Sequence, residues 1–172
     1  MKKQKQYSLW LMPSGKVYSD LFKIISSLSQ KYSAPSFLPH ITLLGRITGF
    51  ETEVLFKCSR LAKNISSYKV EFDKVNYLDQ YYRCLFIRIK ETKEVMNANA
   101  KAKEIFNHRK DPKYMPHLSL LYGDFPESLK KLMIKDIGSK FNVSFKVNHI
   151  HLFLTEDIKN WHKVKEFSLN NY

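Results

Sequence analysis

One short segment of this chain is written twice. Pro39-His40-Ile41-Thr42-Leu43-Leu44-Gly45 returns as Pro116-His117-Leu118-Ser119-Leu120-Leu121-Tyr122-Gly123, with the two histidines 77 residues apart. A lone His-x-Ser/Thr would mean little, because average residue usage makes about one accidental copy expected. Two copies that share a leading Pro, an apolar spacer, a Leu-Leu step and a closing Gly are a duplication. The pattern also dictates local structure. Residues i and i+2 of a strand lie on one face about 7 Å apart. His40 and Thr42 therefore share a face while Ile41 and Leu43 face a core, and His117 and Ser119 are matched by Leu118 and Leu120 in the same way.

The flanking periodicity repeats with the motif. Residues 6–12 read as a strand, 16–32 as a helix (Val17, Leu21, Ile24, Ile25, Leu28), 39–47 as the first histidine strand, 51–64 as a helix and 68–78 as a strand, which is βαβαβ. The second half offers a strand at 83–90, a helix at 92–107, the second histidine strand at 115–122, and a helix at 127–137 opened by Pro126. Strand-like stretches follow at 141–154 and 163–169. Segments 33–39 and 108–115 read as loops entering the histidine strands. Gly45 and Gly123 fall where a turn or a close backbone approach would use them. At 172 residues the chain has the size of one domain, 1–172, built as two related lobes.

Composition narrows the class. With 44% apolar and 14% aromatic residues the chain folds rather than staying disordered. The apolar run Tyr7–Met12 is too short for a signal-peptide core or a membrane span, and Cys58 and Cys84 do not form a disulfide framework. A reduced cytoplasmic protein, free of membrane and monomeric, is the expectation. The net charge of +13 invites a nucleic-acid reading. Its source is mostly scattered lysine, with only five arginines, and Arg is the better bidentate reader of phosphate. A solvated basic surface is favoured over an RNA track, with RNA or an oligoadenylate kept as the alternative ligand.

If the two lobes bring the motif faces together across a groove, two imidazoles and two hydroxyls converge on one ligand. Histidine has an unperturbed pKa of about 6.5, so one imidazole can accept a proton while the other donates one. Hydroxyls can hold phosphate oxygens as charge builds at phosphorus. This chemistry requires no cofactor, metal or nucleophilic side chain.

The paired His-x-Thr/Ser motifs, the neighbourhood Met115-Pro116-His117-Leu118-Ser119-Leu120-Leu121-Tyr122-Gly123 and the opening Tyr7-Ser8-Leu9-Trp10-Leu11-Met12-Pro13 resemble the 2H phosphoesterase superfamily, and within it the cyclic phosphodiesterases. The resemblance implies an α+β, bilobal, LigT-like fold, with two pseudo-symmetric βαβαβ lobes whose β-sheets line a central groove. It implies metal-independent opening of a small nucleotide-derived cyclic phosphate: a nucleoside 2′,3′-cyclic phosphate to the 2′-phosphate, or ADP-ribose 1″,2″-cyclic phosphate. It assigns His117 to water activation, His40 to leaving-group protonation, Thr42 and Ser119 to the phosphate, and Tyr122 to the vicinity of the attacking water. Tyr122 lies five positions after His117, an odd offset, so it reaches the site only if the strand ends, bends or bulges first.

Three further readings stand beside this one. His149-Ile150-His151 places two imidazoles on one strand face, but with only Glu156 and Asp157 nearby it lacks a zinc ligand set. His108 and His162 read as solvated, and Trp10 and Phe37 as core rather than base-stacking platforms, with one of them lining the groove against an adenine as the alternative. A 2H enzyme acting on oligonucleotides and a non-catalytic nucleotide- or RNA-binding module are the rival functions.

Overall fold

The computed structural model describes residues 3–170. The order is β1 (Lys5–Leu11), α1 (Gly15–Lys31), β2 (Ile41–Gly49), α2 (Glu51–Lys63), β3 (Tyr68–Asn76), β4 (Leu85–Ile89), α3 (Lys93–Ile105), β5 (His117–Leu121), α4 (Glu127–Ile137), β6 (Ser144–Val147), β7 (His149–Leu154) and β8 (His162–Ser168). A single 3-10 turn, Tyr81–Arg83, precedes β4, and another, Ile158–Asn160, precedes β8. The α+β assignment and every helix anticipated from periodicity hold.

Local chemistry accounts for the boundaries. In α1, Leu21, Ile25 and Leu28 recur at helical spacing and are buried. The N-cap of α3 is Thr92, whose hydroxyl accepts from the Val95 amide, and α4 starts after Pro126 and stops at Gly138, whose φ is +89°. Buried Asn99 of α3 donates to the Leu43 carbonyl at 2.7 Å, tying that helix to the middle of β2.

The strands form one antiparallel sheet in the order β6-β3-β4-β5-β2-β1-β7-β8. Only Asn148 separates β6 from β7, yet the two sit near opposite ends of that order, so the sheet is strongly curled. The lobes are real, but they are not the two halves of the sequence. A pseudo-twofold between β5 and β2 relates β4 to β1, and β3 to β7. A strand after the second helix of each half has crossed to pair with the other half: β3 with β4, and β7, which comes after β6, with β1. Periodicity identifies a strand without naming its partner, which is why this exchange is invisible in the sequence. Its consequence is that β2 and β5, the two motif strands, are neighbours at the centre.

Candidate active site

The strands β2 and β5 meet through Ile41 opposite Leu118. In an antiparallel pair this register sets His40 against Ser119 and Thr42 against His117, all on the face away from Ile41 and Leu118. Ile41, Leu43, Leu118 and Leu120 are buried in the core as anticipated. His40, Thr42, His117, Ser119 and Tyr122 all line one cavity of about 200 Å³. All five residues singled out in the sequence are thus brought together. His40 itself lies one residue before β2 begins, and continues its alternation.

The two imidazoles are anchored alike. His40 Nδ1 lies 2.6 Å from the Leu38 carbonyl and His117 Nδ1 lies 2.8 Å from the Met115 carbonyl, each two residues upstream. A carbonyl only accepts, so Nδ1 carries the proton and Nε2 is left for proton exchange. Burial pulls both rings below the ordinary histidine value. His40 falls to about 4, with a smaller push from the charge of His117, and His117 falls by burial with a contribution from Arg83. The carbonyl bonds oppose the shift in both rings without cancelling it.

Aromatic rings supply that burial. The Trp10 indole lies between the His40 imidazole, at 3.6 Å, and the Phe153 ring, at 3.8 Å, and both contacts are stacked. Trp161 meets the edge of this stack, 5.4 Å from Trp10. Among the described residues His117 meets only the edge of Phe86, at 5.3 Å. Phe37 belongs to the apolar core, as expected, and stacks on Tyr122 at 3.8 Å, whereas Trp10 is buried but also lines the cavity.

The hydroxyls differ. Ser119 Oγ donates to the Tyr82 carbonyl at 2.9 Å, whereas the Thr42 hydroxyl has no hydrogen-bond partner among the described residues. Thr42 is held through its backbone, its carbonyl accepting from the Tyr114 hydroxyl at 2.9 Å across from the loop before β5. Tyr122 overcomes its odd offset because β5 ends at Leu121. The next residue, Gly123, has φ +149°, and a Cβ there would meet the Phe125 ring at 2.5 Å, so only glycine allows this exit. Burial raises the Tyr122 phenol above its ordinary value, so at neutral pH it is an uncharged hydrogen-bonding group.

Two expectations are corrected. Gly45 marks no turn: it lies inside β2 with ordinary contacts. The irregularity is a bulge in which the β1–β2 register steps from Tyr7–Ile47 to Leu9–Leu44. The strained residue there is Arg46, at φ +56°, whose exposed side chain reaches the rim of the cavity and lies 3.8 Å from Asp111. His108 is not simply solvated, because its Nδ1 is 3.0 Å from Asp111 Oδ2. Arg46, Tyr82, Trp161, Ser8 and Thr155 also line the cavity and were missed in the sequence. They carry no repeated motif. Ser8 and Thr155, 3.1 Å apart, meet only because β7 crosses to β1. Among the described residues no three His, Cys, Asp or Glu side chains gather as a metal site.

Two anchored imidazoles and two hydroxyls on the neighbouring central strands of a duplicated α+β fold define a 2H phosphoesterase. The family described as cyclic phosphodiesterase-like protein matches residues 6–171. The cyclic phosphodiesterase of Arabidopsis thaliana is 28% identical over 98% of this chain and 97% of its own. A 2′,3′-cyclic-nucleotide 3′-phosphodiesterase of Phaeosphaeria nodorum is 31% identical over 69% of each. Among solved structures, E. coli LigT complexed with 3′-AMP superposes with a TM-score of 0.71 at 12% identity, covering 98% of this chain and 100% of that one. A structure from Thermus thermophilus gives 0.68 at 15% identity, covering 96% and 98%. The chain belongs to the cyclic phosphodiesterase-like family and is a phosphoric diester hydrolase. No helix among the described residues is long and apolar enough to cross a membrane.

Proposed function

We propose that the protein opens nucleotide-derived cyclic phosphates, a nucleoside 2′,3′-cyclic phosphate to the 2′-phosphate and ADP-ribose 1″,2″-cyclic phosphate to the 1″-phosphate, by two-histidine acid–base catalysis. The observation that carries the proposal is the convergence of His40, Thr42, His117 and Ser119 on one cavity, with both rings held by Nδ1 so that each offers Nε2. The names of the Arabidopsis and Phaeosphaeria relatives support the substrate class.

The cyclic phosphodiester sits between the rings, its oxygens accepting from Thr42 and Ser119. His117, the less buried ring, takes a proton from water as the water oxygen attacks phosphorus. His40, as imidazolium, gives its proton to the departing ribose oxygen. The P–O bond to the 3′-oxygen breaks, the bond to water oxygen forms, and the two rings exchange protonation states over the turnover. Burial opposes charge on His40, so the anionic phosphate beside it is what makes the imidazolium stable there. Tyr122 and Ser119 border the water side, and Arg46 faces the phosphate from the rim.

The test offers adenosine 2′,3′-cyclic phosphate, ADP-ribose 1″,2″-cyclic phosphate and a 2′,5′-linked oligoadenylate, with products followed by phosphorus NMR. The proposal expects both cyclic phosphates to open and the nucleoside product to be the 2′-phosphate. Turnover of the oligomer alone would move the assignment to oligonucleotides.

A further inference from the structure

Beyond the catalytic cavity, the same strands wall a second cleft. Along β1 the residues on the site face run Ser8, Trp10, Met12, and along β7 they run Thr155, Phe153, His151, His149. Ser8, Trp10 and Thr155 line the catalytic cavity, whereas Met12, Phe153, His151 and His149 line a cleft of about 370 Å³ on the far side of the ring stack. Trp161 borders both. The wall is thin, because His151 stands directly opposite Trp10 in the β1–β7 ladder, where neighbouring strands are about 4.8 Å apart. Trp10 in turn is stacked on His40.

The lining of this cleft combines two lysines with three imidazoles. Lys146, His149, His151, His162 and Lys163 converge there, and the adjacent carboxylate is Glu166, which accepts from Lys163 at 3.1 Å. Two ring nitrogens at the cleft are buried with no hydrogen-bond partner: Trp161 Nε1, and His151 Nδ1, from which the Glu166 carboxylate stands 3.6 Å away. A buried donor without an acceptor costs free energy that a bound oxygen would recover. The catalytic scheme uses none of these five side chains. The charge of the two lysines, the unpaired nitrogens and the shared Trp161 wall call for an oxyanion attached to whatever occupies the catalytic cavity.

We propose that this cleft is a second phosphate subsite, binding a phosphate group that lies one linkage beyond the cyclic phosphate of the same substrate. The inference rests on the catalytic reading given under Proposed function, and narrows it: the preferred substrates are extended nucleotides rather than isolated cyclic mononucleotides. Two sources present that chemistry, the phosphodiester of a dinucleotide ending in a 2′,3′-cyclic phosphate and the pyrophosphate of an ADP-ribose cyclic phosphate. Lysine binds either as a point charge and imidazole as a ring N–H donor, without the fixed fork by which arginine selects a geometry.

The experiment measures kcat/KM for adenosine 2′,3′-cyclic phosphate, for the adenylyl-adenosine dinucleotide ending in 2′,3′-cyclic phosphate, and for ADP-ribose 1″,2″-cyclic phosphate, in the wild type, in the double variant K146Q/K163Q and in H151Q. The two lysines are exposed, so their replacement leaves the core untouched. The mononucleotide should react unchanged in the variants, while at least one extended substrate loses about tenfold, as expected for a lost hydrogen bond to a charged group. Whichever extended substrate falls identifies the source. A parallel fall for all three substrates, or no change for any, overturns the subsite. In a separate arm, inorganic pyrophosphate is titrated into the protein while the histidine ring signals are followed by NMR. Shifts at His149 and His151 that vanish in K146Q/K163Q uphold the subsite even if no cyclic phosphate is turned over, a result that would sink the catalytic reading alone. Absence of shifts at millimolar pyrophosphate overturns it.

Discussion

The two copies of the motif share a sequence pattern and a backbone anchor, yet they sit in different environments. His40 is 6% exposed, sandwiched against Trp10 and held at a pKa of about 4. His117 is half-buried, touched by one aromatic edge, with Arg83 adding to the effect of burial. Thr42 has an idle hydroxyl, whereas that of Ser119 is engaged with Tyr82. Duplication supplies two equivalent frames, and the surrounding rings break the equivalence. Without substrate these surroundings oppose charge on His40, so in the proposed scheme its role as acid depends on the anionic phosphate, and the asymmetry comes from what packs around each copy rather than from the motif.

The largest effect should come from removing either ring. His40→Ala and His117→Ala should each lower turnover of a 2′,3′-cyclic nucleotide by about 10²- to 10⁴-fold, with circular dichroism showing the fold retained. The double variant should be little worse than the singles, because the proposed scheme makes the two rings one unit.

Stability should then report the burial of His40. Its pKa is about 4 when folded, against about 6.5 unfolded, so between these values the unfolded chain binds more protons. Its contribution is complete above pH 6.5, falls as pH drops through this window and is flat below 4, a loss of about 3 kcal/mol. His151, also held at about 4 by burial, works over the same window. Urea denaturation from pH 7.5 to 4 should therefore show a shallower decline in His40→Ala than in the wild type, and equal slopes would contradict the burial assigned to that ring.

A smaller effect separates the hydroxyls. Thr42→Ala and Ser119→Ala should each cost about 1–4 kcal/mol of transition-state stabilisation. Thr42→Ala should be the more damaging, because Ser119 must first release the Tyr82 carbonyl. Equal losses in kcat/KM would erase that distinction. The smallest expected effect is none at all: dialysis against EDTA should leave activity unchanged, since the proposed scheme gives both proton transfers to side chains, and zinc-restored activity would redirect attention to His149 and His151.

Much of the site could be read before the fold was known, because a strand's two-residue period converts His-x-Thr and His-x-Ser into facing pairs without any knowledge of partners. The four helices were legible for the same reason, as with the Leu21, Ile25 and Leu28 stripe of α1. What escaped depends on long-range pairing. The crossing of β3 and β7 brings Ser8 to Thr155 and Phe153 to Trp10, and no periodicity encodes it. Arg46 escaped because its left-handed backbone comes from a bulge in the β1–β2 register, and arginine is not a residue that announces such a conformation. Tyr122 was half legible: the sequence posed the condition that the strand must end, and the structure supplies it at Leu121.

The central claim, one base and one acid on two matched strands, is tested most directly by the pH dependence of kcat/KM on a 2′,3′-cyclic nucleotide in the wild type and both single-histidine variants. Because burial lowers both rings, the wild-type profile should be a bell with its maximum below pH 6.5, its limbs belonging to the pair. In the residual activity of His117→Ala the acid limb, which reports the base, should disappear; in His40→Ala the alkaline limb should disappear instead. A bell that keeps both limbs in either variant would contradict the two-histidine account.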